Sequence, residues 1–236
     1  LTGRNIAELG CGSGIALAKL AEKGALVTGL DTSKLALVFT QYLSEHYGIQ
    51  SNVTLVNGTF YKTGFEDSQF EVVYNSGVFE HLKGDEAKEL LGEMVRITKP
   101  GGFILISIPN EQSPFYSGFK ERETTAFERF NNFNWVRLPW EERRYPLNLR
   151  ELMEGNSLNV VTEDGLLIAP SHKIKKDDIS REDIAFFAKS LEYLIQEPIR
   201  TIEGKINVWT KIEQIASPEL RMRYGWSSYI VGQKAA

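Results

Sequence analysis

Glu8-Leu9-Gly10-Cys11-Gly12-Ser13-Gly14 lies between two differently patterned neighbours. Before it, Asn5 to Leu9 is a short apolar-rich run, the pattern of a strand buried in a parallel sheet. After it, Ile15 to Lys23 sets apolar Ile15, Ala18 and Leu20 against Lys19 and Glu22, which predicts a helix. Ala25 to Leu30 is a second strand, closed by Asp31. Strand, glycine turn, helix, strand and terminal acid make up the first half of a nucleotide-type cofactor site in an open α/β sheet. Glycine lets the chain turn tightly and lets a ligand approach the backbone. The helix behind it begins with N–H groups that favour an anionic group. A carboxylate at position 31 can accept hydrogen bonds from both hydroxyls of a ribose.

The spacing discriminates between cofactors. A dinucleotide fingerprint needs glycine at the first, third and sixth positions. Counted from Gly10, the sixth position is Ile15, so the pattern here is G-x-G-x-G. No Gly-Lys-Ser/Thr follows, which excludes a phosphate-binding P-loop. Read as structure alone, the glycines would be a tight turn and Asp31 a cap for the helix after Thr32-Ser33.

Glu8 to Gly14 with Asp31 resembles the cofactor motif of the class I S-adenosylmethionine-dependent methyltransferases. Asn57-Gly58-Thr59-Phe60, then Phe65 to Val73, resembles that family's third and fourth strands with the adenine loop. Val78-Phe79-Glu80-His81-Leu82 resembles the segment after strand four, and Lys99-Pro100-Gly101-Gly102-Phe103 the turn before strand five. These blocks run in the family's order over Asn5 to Asn110. The subgroup most similar methylates small molecules, as in ubiquinone and menaquinone biosynthesis.

The resemblance implies a Rossmann-like, doubly wound, seven-stranded, mostly parallel sheet. Its strand order is 3-2-1-4-5-7-6, with strand 7 antiparallel, and a helical cap is inserted. It also implies S-adenosyl-L-methionine as cofactor, with no metal. Glu8 would face the cofactor's α-amino group. Gly10, Cys11, Gly12 and Gly14 would lie under its methionine and ribose portion. Asp31 would hold the ribose hydroxyls, with Thr32 beside the adenine. Gly58, Thr59 and Phe60 would border the adenine ring. Asn75 and Ser76 would pass the methionine portion by backbone contacts. At Thr59 the family usually carries an aspartate. A hydroxyl accepts without the extra strength of an ionised acceptor, so weaker adenine discrimination is expected.

Elsewhere the pattern predicts helices over Leu35 to Tyr47 and Asp85 to Thr98, with strands at Val53 to Asn57, Phe70 to Asn75 and Phe103 to Ile108. Residues 111–146 are rich in aromatics and arginines and read as a lid between two parts of the core, 1–110 and 147–236. Such a lid suits a flat or apolar acceptor at the carboxyl edge of the sheet. Leu147 to Glu154 reads as a short helix, Leu158 to Ile168 as strand six, Ser180 to Ile202 and Lys205 to Ala216 as helices, and Tyr224 to Gly232 as strand seven.

His81, just after strand four, is the candidate general base, since histidine titrates near neutral pH. A structural role at a helix start is the competing reading. Glu111 and Tyr116 are further candidates for orienting an acceptor. His46 and His172 read as surface residues. Cys11 reads as a small packing residue.

Composition fits a soluble globular enzyme. Of 236 residues, 42% are hydrophobic and 25% charged, near the averages for such domains. A formal net charge of −4 indicates no general affinity for nucleic acid. One cysteine rules out an intrachain disulfide and fits a reducing, cytoplasmic compartment. No apolar run is long enough to span a bilayer, and no signal peptide is visible. The leading expectation is methyl transfer to a small-molecule acceptor. A macromolecular acceptor, a non-catalytic cofactor-binding scaffold and a nicotinamide oxidoreductase remain alternatives. The acceptor and the oligomeric state are not readable.

Overall fold

The structure is a computed structural model. It describes residues 1–110, 148–168, 182, 185–186, 188–190, 210–212 and 214–236. The expected lid (111–146), with Glu111 and Tyr116, lies outside the described residues, as do His172 and most of the expected helix Ser180 to Ile202.

One seven-stranded sheet holds β1 (Asn5–Leu9), β2 (Leu26–Asp31), β3 (Val53–Asn57), β4 (Phe70–Ser76), β5 (Thr98–Pro109), β6 (Leu158–Ile168) and β7 (Gly225–Lys234). The order is β3-β2-β1-β4-β5-β7-β6, with β7 antiparallel, as the family resemblance implies. The helices described from end to end are α1 (Ile15–Glu22), α2 (Lys34–His46), α3 (Gly84–Ile97), α4 (Leu149–Gly155) and α5 (Pro218–Tyr224). β1 pairs in parallel with both β2 and β4, setting Glu8 between Gly29 and Tyr74. The winding reverses at β1 and β4, and a crevice opens beyond the carboxyl ends of such strands. Among the described residues no helix is long and apolar enough to cross a membrane.

The chain divides into two compact units. The first is Leu1–Ile108, Glu142–Thr162 and Ile230–Ala236. Strand side chains alternate between two apolar layers there, as the pleat requires. Ile6, Val27 and Tyr74 join Leu17, Ala18 and Ala21 of α1 and Leu37 of α2. Ala7, Leu9, Val73 and Ile104 join Leu90, Leu91, Met94 and Ile97 of α3 and Met153 of α4. The second unit is Pro109–Glu141 and Glu163–Tyr229. In it the Arg221 guanidinium grips Asp164, with Nε to Oδ2 at 2.8 Å and Nη2 to Oδ2 at 2.6 Å. Asn110 Nδ2 donates to the carbonyls of Met222 and Gly225.

Two elements differ from the sequence reading. β5 begins at Thr98 instead of Phe103. The Thr98 hydroxyl donates to Met94 O at the end of α3 (2.7 Å) while its backbone already pairs with Phe70. The register then shifts between Phe70 and Val72, and this irregularity takes up Pro100-Gly101-Gly102. A Cβ on Gly102 would meet Glu71 O at 2.8 Å. Tyr224, expected to start strand seven, instead ends α5. That helix is fixed by Ser217, whose hydroxyl accepts from Leu220 N, and by proline in its first turn. Both are readable start signals.

Candidate functional site

Beyond β1 the chain bends through Gly10, Gly12 and Gly14, with φ of 81°, 50° and 68°. The bend is pinned to the end of β2. The N–H groups of Gly10 and Cys11 donate to Leu30 O at 2.7 and 3.1 Å. The Gly12 N–H donates to Asp31 Oδ2 at 2.8 Å.

The three glycines serve different ends. A Cβ on Gly10 would lie 2.7 Å from Val78 Cγ2, and one on Gly14 would lie 2.2–2.7 Å from three atoms of Thr40. Both positions face protein. A Cβ on Gly12 would meet nothing within 4 Å, so that face of the bend is open. Thr40, in α2, completes the support by donating to Gly12 O at 3.2 Å.

Asp31 is half-buried, and its second oxygen accepts from Ser33 N at 2.8 Å. Ser33 is the N-cap of α2, its hydroxyl accepting from Ala36 N. Asp31 is therefore not the helix cap. A carboxylate offers about four lone-pair directions, and the two backbone bonds leave room for further donors. Asn57 Nδ2 donates to the carbonyls of Asp31 and Thr32, each at 3.0 Å, and Gly58 N donates to Asp31 O at 3.1 Å. Asp31, Thr32 and Gly58 are thereby tied together at the ends of β2 and β3.

Next comes a tight turn in which Thr59 bridges Lys62 and the Thr59 hydroxyl accepts from Tyr61 N at 3.4 Å. The Phe60 and Tyr61 rings are 4.4 Å apart. Downstream the loop is fastened to α3. Arg96 binds Glu93 through Nε and Nη2 (each 2.7 Å), Asp67 through Nη1 (2.6 Å) and Phe65 O through Nη2 (2.9 Å).

Glu8 is buried, and its Oε2 accepts from Tyr74 OH at 2.8 Å. Burial pushes its carboxyl up to about 7; the Tyr74 bond opposes the rise and the nearby Asp31 charge adds to it. Burial, with Glu8 and Asp31 alongside, pushes the Cys11 thiol up to about 12. A thiol this reluctant to ionise is a packing group. Asn75 has no exposed surface. Its Nδ2 donates to Leu9 O, while its Oδ1 has no partner among the described residues. Ser76 is exposed at the end of β4.

His81 closes a 3-10 turn, Phe79–His81, directly after the Val78 that abuts Gly10. Its Nε2 lies 3.8 Å from Oε1 of buried Glu80. His46 is exposed at the end of α2.

Tyr74, Thr40 and the Asn75 carboxamide escape a sequence reading. The Tyr74 contact needs the register of β1 on β4. A hydroxyl on the inward face of α2 was the one available signal for Thr40.

Residues 7–106 match the family model described as methyltransferase domain. The ubiquinone biosynthesis O-methyltransferase of Thiobacillus denitrificans is 28% identical over 116 residues, 49% of this chain and 49% of that protein. The mitochondrial ubiquinone biosynthesis O-methyltransferase of Dictyostelium discoideum is 28% identical over 182 residues, covering 72% and 54%. The chain spans about half the length of the curated relatives it matches. The solved S-adenosylmethionine-dependent methyltransferase of Archaeoglobus fulgidus shares the fold, with a TM-score of 0.57 at 18% identity over 98% of this chain and 86% of that one. Residues 7–106 thus match a methyltransferase domain, and the strand order is that of the Rossmann-like methyltransferase fold.

Proposed function

We propose that this chain catalyses methyl transfer from S-adenosylmethionine to a small-molecule acceptor, by in-line displacement in the crevice beyond β1 and β4. The observation that carries the reading is the open face of Gly12, hydrogen-bonded to a carboxylate that keeps free lone pairs. Asp31 holds the ribose hydroxyls, with Thr32 alongside. Gly10, Cys11, Gly12 and Gly14 form the floor under the methionine and ribose portion. Gly58, Thr59 and Phe60 border the adenine.

Glu8 faces the α-amino group. A buried carboxyl gives up its proton when a cation arrives beside it, so the ammonium and the Glu8 carboxylate stabilise each other. Asn75 Oδ1, a buried acceptor with no described partner, offers a second site for a donor of the methionine portion, and Ser76 adds backbone contacts.

When bound, S-adenosylmethionine supplies a methyl group on a positive sulfur, and its transfer to the acceptor leaves S-adenosylhomocysteine. The protein's task is then positioning and exclusion of water, worth up to roughly 7–11 kcal/mol of barrier. His81 takes the proton of an acceptor hydroxyl, phenol or acidic carbon. Glu80 beside it supplies a carboxylate next to the imidazolium that forms. The formal net charge of −4 favours a small acceptor over nucleic acid, and the single cysteine favours the cytoplasm.

The test is a screen of candidate small acceptors with isotopically labelled donor, read by product mass. A labelled small-molecule product supports the reading. Label appearing only in RNA or protein would overturn it.

A further inference from the structure

α2 turns its more apolar side to solvent. Leu35, Val38, Phe39 and Tyr42 are 79%, 64%, 47% and 62% exposed, and their i, i+3, i+4, i+7 spacing puts them on one face. The buried residues of the helix are Leu37, Thr40 and Ser44, two of them hydroxyl residues. A surface helix in a globular domain normally shows the reverse, and a contiguous exposed apolar face marks contact with another molecule. The stripe continues into His46, stacked on Tyr42 with centroids 6.3 Å apart, and Tyr47, edge-on to His46 at 5.0 Å.

The charges beside the stripe identify its occupant. Lys34 and Glu45 bracket it, and their separation in sequence is about three helical turns, so they stand on one flank. A two-fold axis through the stripe lays each flank against itself in reverse. Lys34 then meets the partner's Glu45, twice by symmetry, and Leu35 meets the partner's Tyr42. Val38 and Phe39 fall beside the axis. A lipid surface fits less well, because the flank carries one charge of each sign and the chain's formal charge is −4, which gives no attraction to anionic headgroups.

We propose that α2 is a homodimerisation surface. A second copy of this chain docks antiparallel on the Leu35-Val38-Phe39-Tyr42 stripe, with Lys34 of each protomer beside the partner's Glu45. A contact one helix long lies at the small end of specific interfaces, so association depends on concentration.

Sedimentation velocity of the whole chain, from low to high micromolar, tests this. A reversible monomer–dimer equilibrium is expected, weakened at least about tenfold by Tyr42→Asp. Lys34→Glu and Glu45→Lys should each weaken it, and the two together should restore it. Phe39→Cys should give a disulfide-linked dimer on oxidation; the native cysteine, Cys11, is buried. All these positions are exposed, so the variants should keep the parent circular dichroism spectrum and melting temperature. A chain that stays monomeric throughout would overturn the proposal, as would a dimer indifferent to Tyr42→Asp or a double charge reversal no better than either single one. Binding to phosphatidylserine vesicles that Tyr42→Asp abolishes, with no dimer in solution, would assign the stripe to a membrane and also overturn it.

Discussion

The Gly12 N–H donates to Asp31 Oδ2 at 2.8 Å, so the glycine bend and the acid after the neighbouring strand are one hydrogen-bonded unit. A residue that would bind a ligand also holds the shape of the bend, and changes here act on affinity and stability in different proportions.

Gly12 and Gly14 should separate these effects. Gly12→Ala adds a methyl group to open space at positive φ, a strain of about 1–2 kcal/mol. The fold should survive while S-adenosylhomocysteine affinity falls by more than tenfold. Gly14→Ala carries similar strain and also drives a Cβ into Thr40, adding about 1–3 kcal/mol. Urea unfolding of both variants checks the order, and equal stability losses would contradict it.

Glu8 sets a pH dependence. Its carboxyl stands at about 7 in the fold against 4.5 ordinarily. Between those values the unfolded chain releases the proton while the fold retains it. The contribution of Glu8 to the stability of the ligand-free protein is therefore full below about 4.5 and is lost as pH rises toward 7, a change of roughly 3 kcal/mol. Glu8→Gln, which keeps an acceptor for Tyr74, should flatten that fall. Denaturation at pH 5 and pH 8 measures it; an unchanged slope in the variant would refute the assignment.

Arg96 should hold the loop after β3. Arg96→Lys cannot reproduce the contacts to Glu93, Asp67 and Phe65 O, and a guanidinium fork is not replaced by an ammonium. A loss of about 1–3 kcal/mol is expected, with faster amide exchange across Thr63 to Ser68. Exchange unchanged there would show that the loop is held by other contacts.

His81→Ala should leave cofactor affinity within about twofold and lower turnover by at least about a hundredfold on an acceptor that must lose a proton. His81→Gln should not rescue it, and the pH–rate profile should lose its lower limb. Rescue by glutamine would reassign His81 to a structural role.

Much of this was legible because local chemistry and fold agree. The alternating glycines, the acid ending β2 and the apolar runs of β1, β2, β3 and β4 each follow from short-range pattern. What escaped depends on pairing between distant segments. Tyr74 reaches Glu8 only because β4 lies beside β1 in one register. Thr40 fills the space that Gly14 leaves only because α2 crosses the bend. α5 was missed although Ser217-Pro218 is a start signal, because its 7 residues are too few for a helical apolar period to show. The purpose of each glycine was equally hidden, since identical residues at 10, 12 and 14 face a valine, open space and a threonine.

The most direct test is isothermal titration of the whole chain and of Asp31→Ala with S-adenosylmethionine. One-to-one binding to the parent chain is expected, weakened in the variant by at least tenfold, about 1.4 kcal/mol, with no response to NAD. Equal affinity in the two proteins, or binding of NAD in place of S-adenosylmethionine, would contradict the grip assigned to the glycine bend and Asp31.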